Sequence, residues 1–205
     1  MTPEREQRMA DVLKRRQPDI TVVLENVHDP HNIAAVLRTC DAVGVQTVYA
    51  VNEKVPRPKK FGHKTSSGSE KWVDVYYYRD PDTCLEDVRK KYEKVYALSS
   101  DHPGKSLFEA DLTGSVALLF GNEHAGLSSR MLSHADELFT IPMVGMVTSL
   151  NISVACAVTL YEAFRQRYAA GLYERTSLTE EQAETYKKWV LREIRKRYHL
   201  SIQKT

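Results

Sequence analysis

Cysteine is scarce in this chain: Cys40, Cys84 and Cys156 are the only three in 205 residues. An odd count without CxxC spacing, two of them in apolar helical surroundings, excludes a disulfide frame and a zinc site and predicts reduced, intracellular thiols. Long apolar runs are also missing. Val116 to Phe120 is typical of the longest present, far short of the roughly 18–20 residues of a membrane span, so no membrane association is expected. The first residues, Met-Thr-Pro-Glu-Arg-Glu-Gln-Arg, have no apolar stretch of the kind a secretory signal needs. A cytoplasmic location is the expectation. A large net charge is absent too, at +2, but that small sum hides an uneven distribution.

Residues 186–205 hold seven Lys/Arg against one acid, Glu193. Residues 53–64 hold Lys54, Arg57, Lys59, Lys60 and Lys64 against Glu53, and the first helix adds Arg5, Arg8, Lys14, Arg15 and Arg16. Basic clusters at both ends and on one loop fit a polyanion partner, although solvated helix faces produce the same pattern. Hydrophobic residues at 42% and charged residues at 27% are the proportions of an ordinary globular protein. The length suits one domain with appendages and a substantial core.

Local patterns predict strands alternating with helices. Residues 3–16 read as a helix with Thr2 as N-cap and Pro3 at its first position. Residues 21–25 form a strand. Ile33, Val36, Leu37 and Cys40 mark one buried face of a helix over 32–43 that closes at Gly44. A strand over 46–51 precedes an unpatterned, basic stretch from 52 to 70, long enough to be functional. Then come a strand at 72–78, a helix at 81–92 and a strand at 94–98. Residues 116–120, wholly apolar, fit a strand buried on both faces of a parallel sheet. A short helix over 127–135, a strand over 138–141 and a helix from Leu150 to residue 170 follow. The last helix opens with a Thr179/Gln182 capping box. This alternation predicts an α/β domain with a mostly parallel sheet, in which ligands sit beyond the carboxyl ends of the strands.

Three loops stand out at such positions. Asn26-Val-His-Asp-Pro-His-Asn32 follows the first strand, with Arg38 within two turns. Its His28, Asp29 and His31 are too closely spaced to give three metal ligands on one regular element, so no metal is expected, and Asn32 is expected to cap the helix. Gly121-Asn-Glu-His-Ala-Gly126 follows the most buried strand; its two glycines permit close backbone approach and its acid, Glu123, lies where a ligand would sit. It is neither a Rossmann GxGxxG nor a P-loop. Ile141-Pro-Met-Val-Gly-Met-Val-Thr-Ser-Leu-Asn-Ile-Ser153 brings Ser149 and Asn151 to a helix N-terminus, where free N–H groups and the helix dipole favour a ligand. Read alone, these loops make a generic ligand site.

Together and in this order, Asn32…Arg38-Thr39, Leu119-Phe-Gly-Asn-Glu-His-Ala-Gly126 and Ile141…Ser153 resemble the three motifs of the SpoU branch of the SPOUT RNA methyltransferases. Arg15-Arg-Gln-Pro-Asp-Ile-Thr, Glu25-Asn-Val-His, Asp41-Ala-Val-Gly44 and Tyr161-Glu-Ala-Phe-Arg-Gln-Arg167 further resemble the tRNA (guanosine-18-2′-O)-methyltransferases of that branch. The resemblance covers nearly everything from Val12 to Tyr173. It implies a SPOUT domain over residues 19–173 whose C-terminal part is threaded as a trefoil knot, an exception to the rule that chains do not knot. A basic helix over 1–18 and a basic helical extension over 174–205 flank it.

The same resemblance implies S-adenosylmethionine bound by Leu98, Ser99, Gly121, Ile141, Met143, Leu150 and Asn151. It also implies a homodimer with the site near the subunit interface, formed in part by Val154, Val158 and Tyr161. The activity implied is methylation of a tRNA ribose 2′-hydroxyl, at guanosine 18 of the D-loop. Arg38 would clamp the adjoining phosphate and stabilise developing alkoxide; a guanidinium is effectively always protonated and so is not a literal proton acceptor. Asn32 would orient Arg38 or the substrate, Glu123 the ribose or Arg38, and Ser149 and Asn151 would complete a polar wall. Arg8, Arg15, Arg16, Lys54, Arg57, Lys59, Lys60, Lys64, Arg192, Lys196 and Arg197 would hold tRNA phosphates. Two alternatives remain: a ribosomal-RNA ribose methyltransferase, many of which carry an additional N-terminal RNA-binding domain, and a non-catalytic RNA-binding protein of the same fold.

Overall fold

The computed structural model describes residues 1–53, 68–100, 104–122 and 125–202, the side chains of 196–202 excepted. It divides into two units, Gln17–Ala170 and Met1–Arg16 with Gly171–Thr205. The larger unit is built on strands β1 (Ile20–Glu25), β2 (Thr47–Val51), β3 (Asp74–Tyr78), β4 (Lys94–Leu98), β5 (Lys105–Ser106), β6 (Val116–Phe120) and β7 (Glu137–Thr140). They form one sheet in the order β3-β2-β1-β6-β4-β7-β5, and every pairing is parallel.

Among the described residues, four helices cover its faces: α2 (Pro30–Val43), α3 (Pro81–Arg89), α4 (Ser129–Leu132) and α5 (Ile152–Ala169). On one face α2 brings Ile33, Val36, Leu37 and Cys40, and α5 brings Ile152, Cys156 and Leu160, against Val22, Leu24, Val48, Leu118 and Phe120. On the other, Cys84, Leu85 and Val88 of α3 and Met131 of α4 meet Val23, Val95, Ala97, Ala117 and Leu119. Alternate residues of β6 therefore belong to opposite cores, and all five are buried; the unbroken apolar run is what a two-faced strand requires.

Most element ends follow their local chemistry. Thr2 caps α1 (Pro3–Lys14) and Gly44 closes α2 at φ 90°. Several differ from expectation. Asp29, not Asn32, caps α2: its side chain accepts the His31 N–H at 2.8 Å, and Pro30 supplies the preset first helical residue. α5 starts two residues later than expected, because Asn151 is its N-cap; Ser149 is not. A 3₁₀ turn at Ser69–Lys71 delays β3 to Asp74. The two-residue strand β5 was not anticipated, being too short to show periodicity.

β5 creates a crossing. Phe139 of β7 pairs with Leu98 of β4 on one side and with Lys105 of β5 on the other. The chain therefore passes from one flank of β7 to the other between the end of β4 and the start of β5. A Cβ on Gly104 would lie 2.7 Å from the carbonyl oxygen of Leu138, so the close approach needs glycine.

At the opposite edge of the sheet the guanidinium of Arg167, near the end of α5, is fully buried. It donates to the carbonyl of Leu112 at 2.8 Å, to Asp19 at 2.7 Å, to Gln17 at 3.2 Å and to the carbonyl of Gly114. One side chain thus joins α5 to the segments that lead into β1 and β6. In the smaller unit, α1 packs on α6 (Glu180–Ile202), with the expected capping box present as reciprocal Thr179–Gln182 bonds of 2.9 and 3.2 Å. Arg5 pairs with Glu193 at 2.9 Å, and the Arg16 guanidinium lies 5.6 Å from the Trp189 ring centre. No described helix is long and apolar enough to cross a membrane.

Replacing Arg167 with Met leaves the carbonyls of Leu112 and Gly114, the Gln17 amide oxygen and the Asp19 carboxylate without their donor. The expected loss is about 3 kcal/mol of stability, measured as a lowered denaturant midpoint with an unchanged slope.

Candidate active site

A cavity of about 800 Å³ opens at the carboxyl end of the sheet. Its walls come from the ends of three adjacent strands and from the loop that leads into α5. Leu98, Ser99 and Ser100 follow β4, Phe120, Gly121, Asn122 and Gly126 follow β6, and Thr140 and Ile141 close β7. Met143, Gly145, Val147, Thr148, Ser149 and Leu150 form the outer wall, and Ile152 and Ala155 of α5 complete the lining. This is where a parallel sheet exposes free backbone groups to a ligand. None of the described lining residues is ionisable. The cavity can bind by shape, apolar contact, hydroxyls and backbone groups, and it brings no acid or base of its own from those residues.

Two backbone features give the wall between β6 and α4 its shape. Asn122 and Gly126 exchange main-chain hydrogen bonds of 3.0 and 2.9 Å, which folds the loop back on itself. A Cβ on Gly121 would then sit 2.1 Å from the carbonyl carbon of Gly126, closer than any contact real Cβ atoms make. Gly126 itself has φ 61°.

Of the residues expected to hold a cofactor, Leu98, Ser99, Gly121, Ile141, Met143 and Leu150 line the cavity. Asn151 does not. Its Oδ1 accepts the Ser153 N–H at 2.9 Å and its Nδ2 donates to Asn32 Oδ1 at 3.2 Å. That bond joins the first and third loops, 119 positions apart in the chain. Ser149 lines the cavity and is exposed. Arg38 is exposed on α2, lies outside the lining, and has no hydrogen bond or ion pair among the described residues. Glu123 lies outside the described residues, as do Lys54, Arg57, Lys59, Lys60 and Lys64 and the side chains of Lys196 and Arg197.

Arg8 and Arg15 are exposed and Arg192 is half-buried. Arg16 departs from the expectation that it faces phosphate. It is 1% exposed, and Trp189 offers its ring to the guanidinium, a cation–π arrangement that holds it in the core of the smaller unit. The three cysteines are free and buried. Burial pushes the Cys84 thiol up to about 12 and the Cys156 thiol well above its ordinary range, which removes both as nucleophiles at neutral pH. His28, Asp29 and His31 form no metal cluster, and no group of three or more His, Cys, Asp or Glu among the described residues could hold a metal ion.

Sequence reasoning missed Ser100, Asn122 and Thr140, each next to a residue it named, and the crossing segment that ends at Gly104. The dipeptide Pro103-Gly104 is the one local signal that marked a sharp turn there.

A model of the SpoU rRNA Methylase family matches residues 19–161. The chain is 47% identical over 180 residues, 88% of its own length and 92% of the relative's, to a tRNA (guanosine(18)-2′-O)-methyltransferase of Thermus thermophilus. Among solved structures, the TrmH/SpoU tRNA modifying enzyme of A. aeolicus superimposes with a TM-score of 0.85 at 36% identity, covering 93% of this chain and 97% of that one. The SpoU methyltransferase AviRb of Streptomyces viridochromogenes, solved in complex with AdoMet, gives 0.68 at 27% identity over 75% of this chain and 62% of its own.

Gly121→Ala is expected to cost about 1–3 kcal/mol by overpacking against Gly126. Gly145→Ala, with nothing within 4 Å of the added Cβ, is expected to stay within about 0.5 kcal/mol of the parent. Thermal melts of the two variants check the contrast.

Proposed function

Because this chain belongs to the SpoU rRNA methylase family, we propose that it transfers the methyl group of S-adenosylmethionine to the ribose 2′-hydroxyl of guanosine 18 in tRNA. The observation that carries the reading is the cavity at the carboxyl ends of β4, β6 and β7, walled by the second and third motif loops and free of ionisable groups among its described lining. The choice of tRNA over ribosomal RNA rests on similarity that spans 92% of a guanosine-18 tRNA enzyme. The ribosomal enzyme of Xanthomonas axonopodis aligns over only 60% of its own length.

The cavity fits the cofactor by size and by chemistry. Its volume lies within the range of pockets for ligands of this size. Leu98, Ile141, Met143 and Leu150 supply apolar surface for a purine, and Ser99, Thr140 and Ser149 supply hydroxyls. When bound, S-adenosylmethionine supplies a methyl group already activated by a sulfonium. The chain therefore has mainly to position its reactants and ease the loss of the hydroxyl proton. Leu98, Ser99, Gly121, Ile141, Met143 and Leu150 hold the cofactor, Ser149 adds polar wall, and the Asn151–Asn32 bond sets the start of α5 against α2. Arg38 orients the phosphate beside the target ribose and stabilises negative charge as it develops on the 2′-oxygen. Glu123 positions the ribose or Arg38.

The chain is organised as a methyltransferase domain over 19–173 with basic helical extensions over 1–18 and 174–205. Arg8, Arg15, Arg192, Lys196 and Arg197, with Lys54, Arg57, Lys59, Lys60 and Lys64, grip tRNA phosphates and make binding salt-dependent. A knot is supported by the crossing at β7, where the chain passes from β4 on one flank of the strand to β5 on the other. The working form is a cytoplasmic homodimer. Support for the dimer comes from the exposed apolar side chains beside the cavity: Val144, Met146 and Val147 on the loop, Val154 and Tyr161 on α5. Monomers rarely leave such a cluster in water, and Arg38, outside the cavity of its own chain, needs an assembly that brings catalytic groups together.

Incubation with unmodified tRNA and labelled S-adenosylmethionine is expected to give 2′-O-methylguanosine at position 18, mapped by nucleoside digestion. Methyl groups on a base, on ribosomal RNA alone, or nowhere would overturn the reading. Arg38→Ala is expected to lower kcat by about 10²–10³-fold with cofactor affinity retained, measured by single turnover and calorimetry.

A further inference from the structure

Where β1 ends, two consecutive residues touch both ends of the segment that forms the cavity wall. Glu25 is the last residue of β1 and only 1% exposed. Its Oε2 accepts the main-chain N–H of Ser128 at 2.7 Å, and Ser128 is the residue that caps α4 through a 3.2 Å bond from Met131 N–H. Asn26, next in the chain, has φ 52° and is the one non-glycine residue with positive φ among those described. Asn and Gly are the residues that adopt this conformation readily. In it, the Asn26 N–H donates to the Val51 carbonyl at 2.8 Å, and its side-chain oxygen accepts the Glu53 N–H at 3.2 Å. Its own carbonyl accepts from Asn122 Nδ2 at 2.8 Å.

Asn122 thus holds the start of the loop to Asn26, and Ser128 holds its end to Glu25. Between them Gly121, Asn122 and Gly126 face the cavity. Glu25 is an unusual choice for a purely structural joint. Its second oxygen, Oε1, is buried and has no hydrogen-bond partner, and a half-satisfied buried carboxylate is less stable than well-packed apolar atoms. Such a residue survives where geometry matters more than stability.

We propose that Glu25 and Asn26 are positioning residues for methyl transfer: they clamp the wall that Gly121, Asn122 and Gly126 give the cofactor cavity to the end of β1, and so keep these residues where they receive the cofactor. This rests on the assignment of the cavity to S-adenosylmethionine. Neither residue touches the reacting atoms. Both act through Asn122 and Ser128.

The test uses the full-length protein and three readouts: S-adenosylmethionine affinity by calorimetry, kcat and KM for unmodified tRNA, and the thermal midpoint. Glu25→Leu is expected to weaken cofactor binding about tenfold or more and to lower kcat, with the tRNA KM within about twofold of the parent. Its thermal midpoint should move little, because the unpaired Oε1 disappears together with the bond to Ser128. Glu25→Gln keeps an acceptor for the Ser128 N–H and is expected to restore affinity to within about threefold. Asn122→Ala, at a half-buried position that tolerates truncation, is expected to show the same split and guards against a misfolded Glu25→Leu.

Variants that bind cofactor as the parent does would overturn the clamp. So would variants in which cofactor affinity, tRNA affinity and thermal midpoint all fall together, or a Gln variant no better than Leu. A parent protein that neither binds S-adenosylmethionine nor methylates tRNA would overturn the functional assignment and the clamp with it, an outcome separable from the others because it appears before any substitution is made.

Discussion

The crossing at β7 is the constraint on which the rest of the structure depends. β7 lies between β4 and β5, consecutive strands of the chain, and both meet it at Phe139. The link between them passes from one flank of β7 to the other, and the chain leaving β7 runs on into the loop that leads to α5. This places residues 99–100 and 140–150 side by side at the carboxyl edge, next to the end of β6. No further device is needed to bring the second and third motif loops together. Gly104 shows how closely the crossing is packed, since even one added carbon would meet the backbone of Leu138.

A cavity built from a crossing must be held still from more than one side. The long helix α5 is anchored at its far end by Arg167, which reaches the segments ahead of β1 and β6, and at its near end by Asn151, which caps the helix and reaches Asn32. The two anchors lie on opposite edges of the sheet, so the helix is fixed at both. α2 carries Asn32 and Arg38 on a helix whose ends are set by Asp29, Pro30 and Gly44. Asn32 and Arg38, proposed to orient the substrate and its phosphate, therefore sit on a rigid element, while the cavity wall is formed by loops.

Much of this was legible in the chain. The alternation of strand and helix patterns, the two-faced strand β6, the Thr2 and Thr179 caps and the Gly44 stop all follow from local chemistry and all appear. The order of the strands does not, because parallel pairing is decided by contacts far apart in sequence; β6 enters between β1 and β4 without any local sign of it. β5, two residues long, has no period to read. The cavity was legible in its loops and in six of the residues named beforehand that line it, since motif residues lie at strand ends. What stayed hidden were relations between loops. Asn151 reads as a cavity residue until its side chain is found on Asn32, and Arg16 reads as a phosphate ligand until Trp189 covers it. A basic residue in a sequence has a charge but no direction.

Two of the buried charged residues of the larger unit, Arg167 and Glu25, show how structural and functional polarity can be told apart. Arg167 is wholly buried, and both of its terminal nitrogens and Nε have partners at the closed edge of the sheet. A charge so fully compensated needs no function to explain it, because its removal strands the groups around it. Glu25 is as deeply buried, at the open edge, with one oxygen bonded and the other alone. Stability alone would have replaced it with an apolar side chain. What an apolar side chain cannot do is accept the N–H that begins α4, and with it fix one end of the cavity wall. The asymmetry between the two ends of the sheet, one saturated and one left short, is the mark of where this fold does its chemistry.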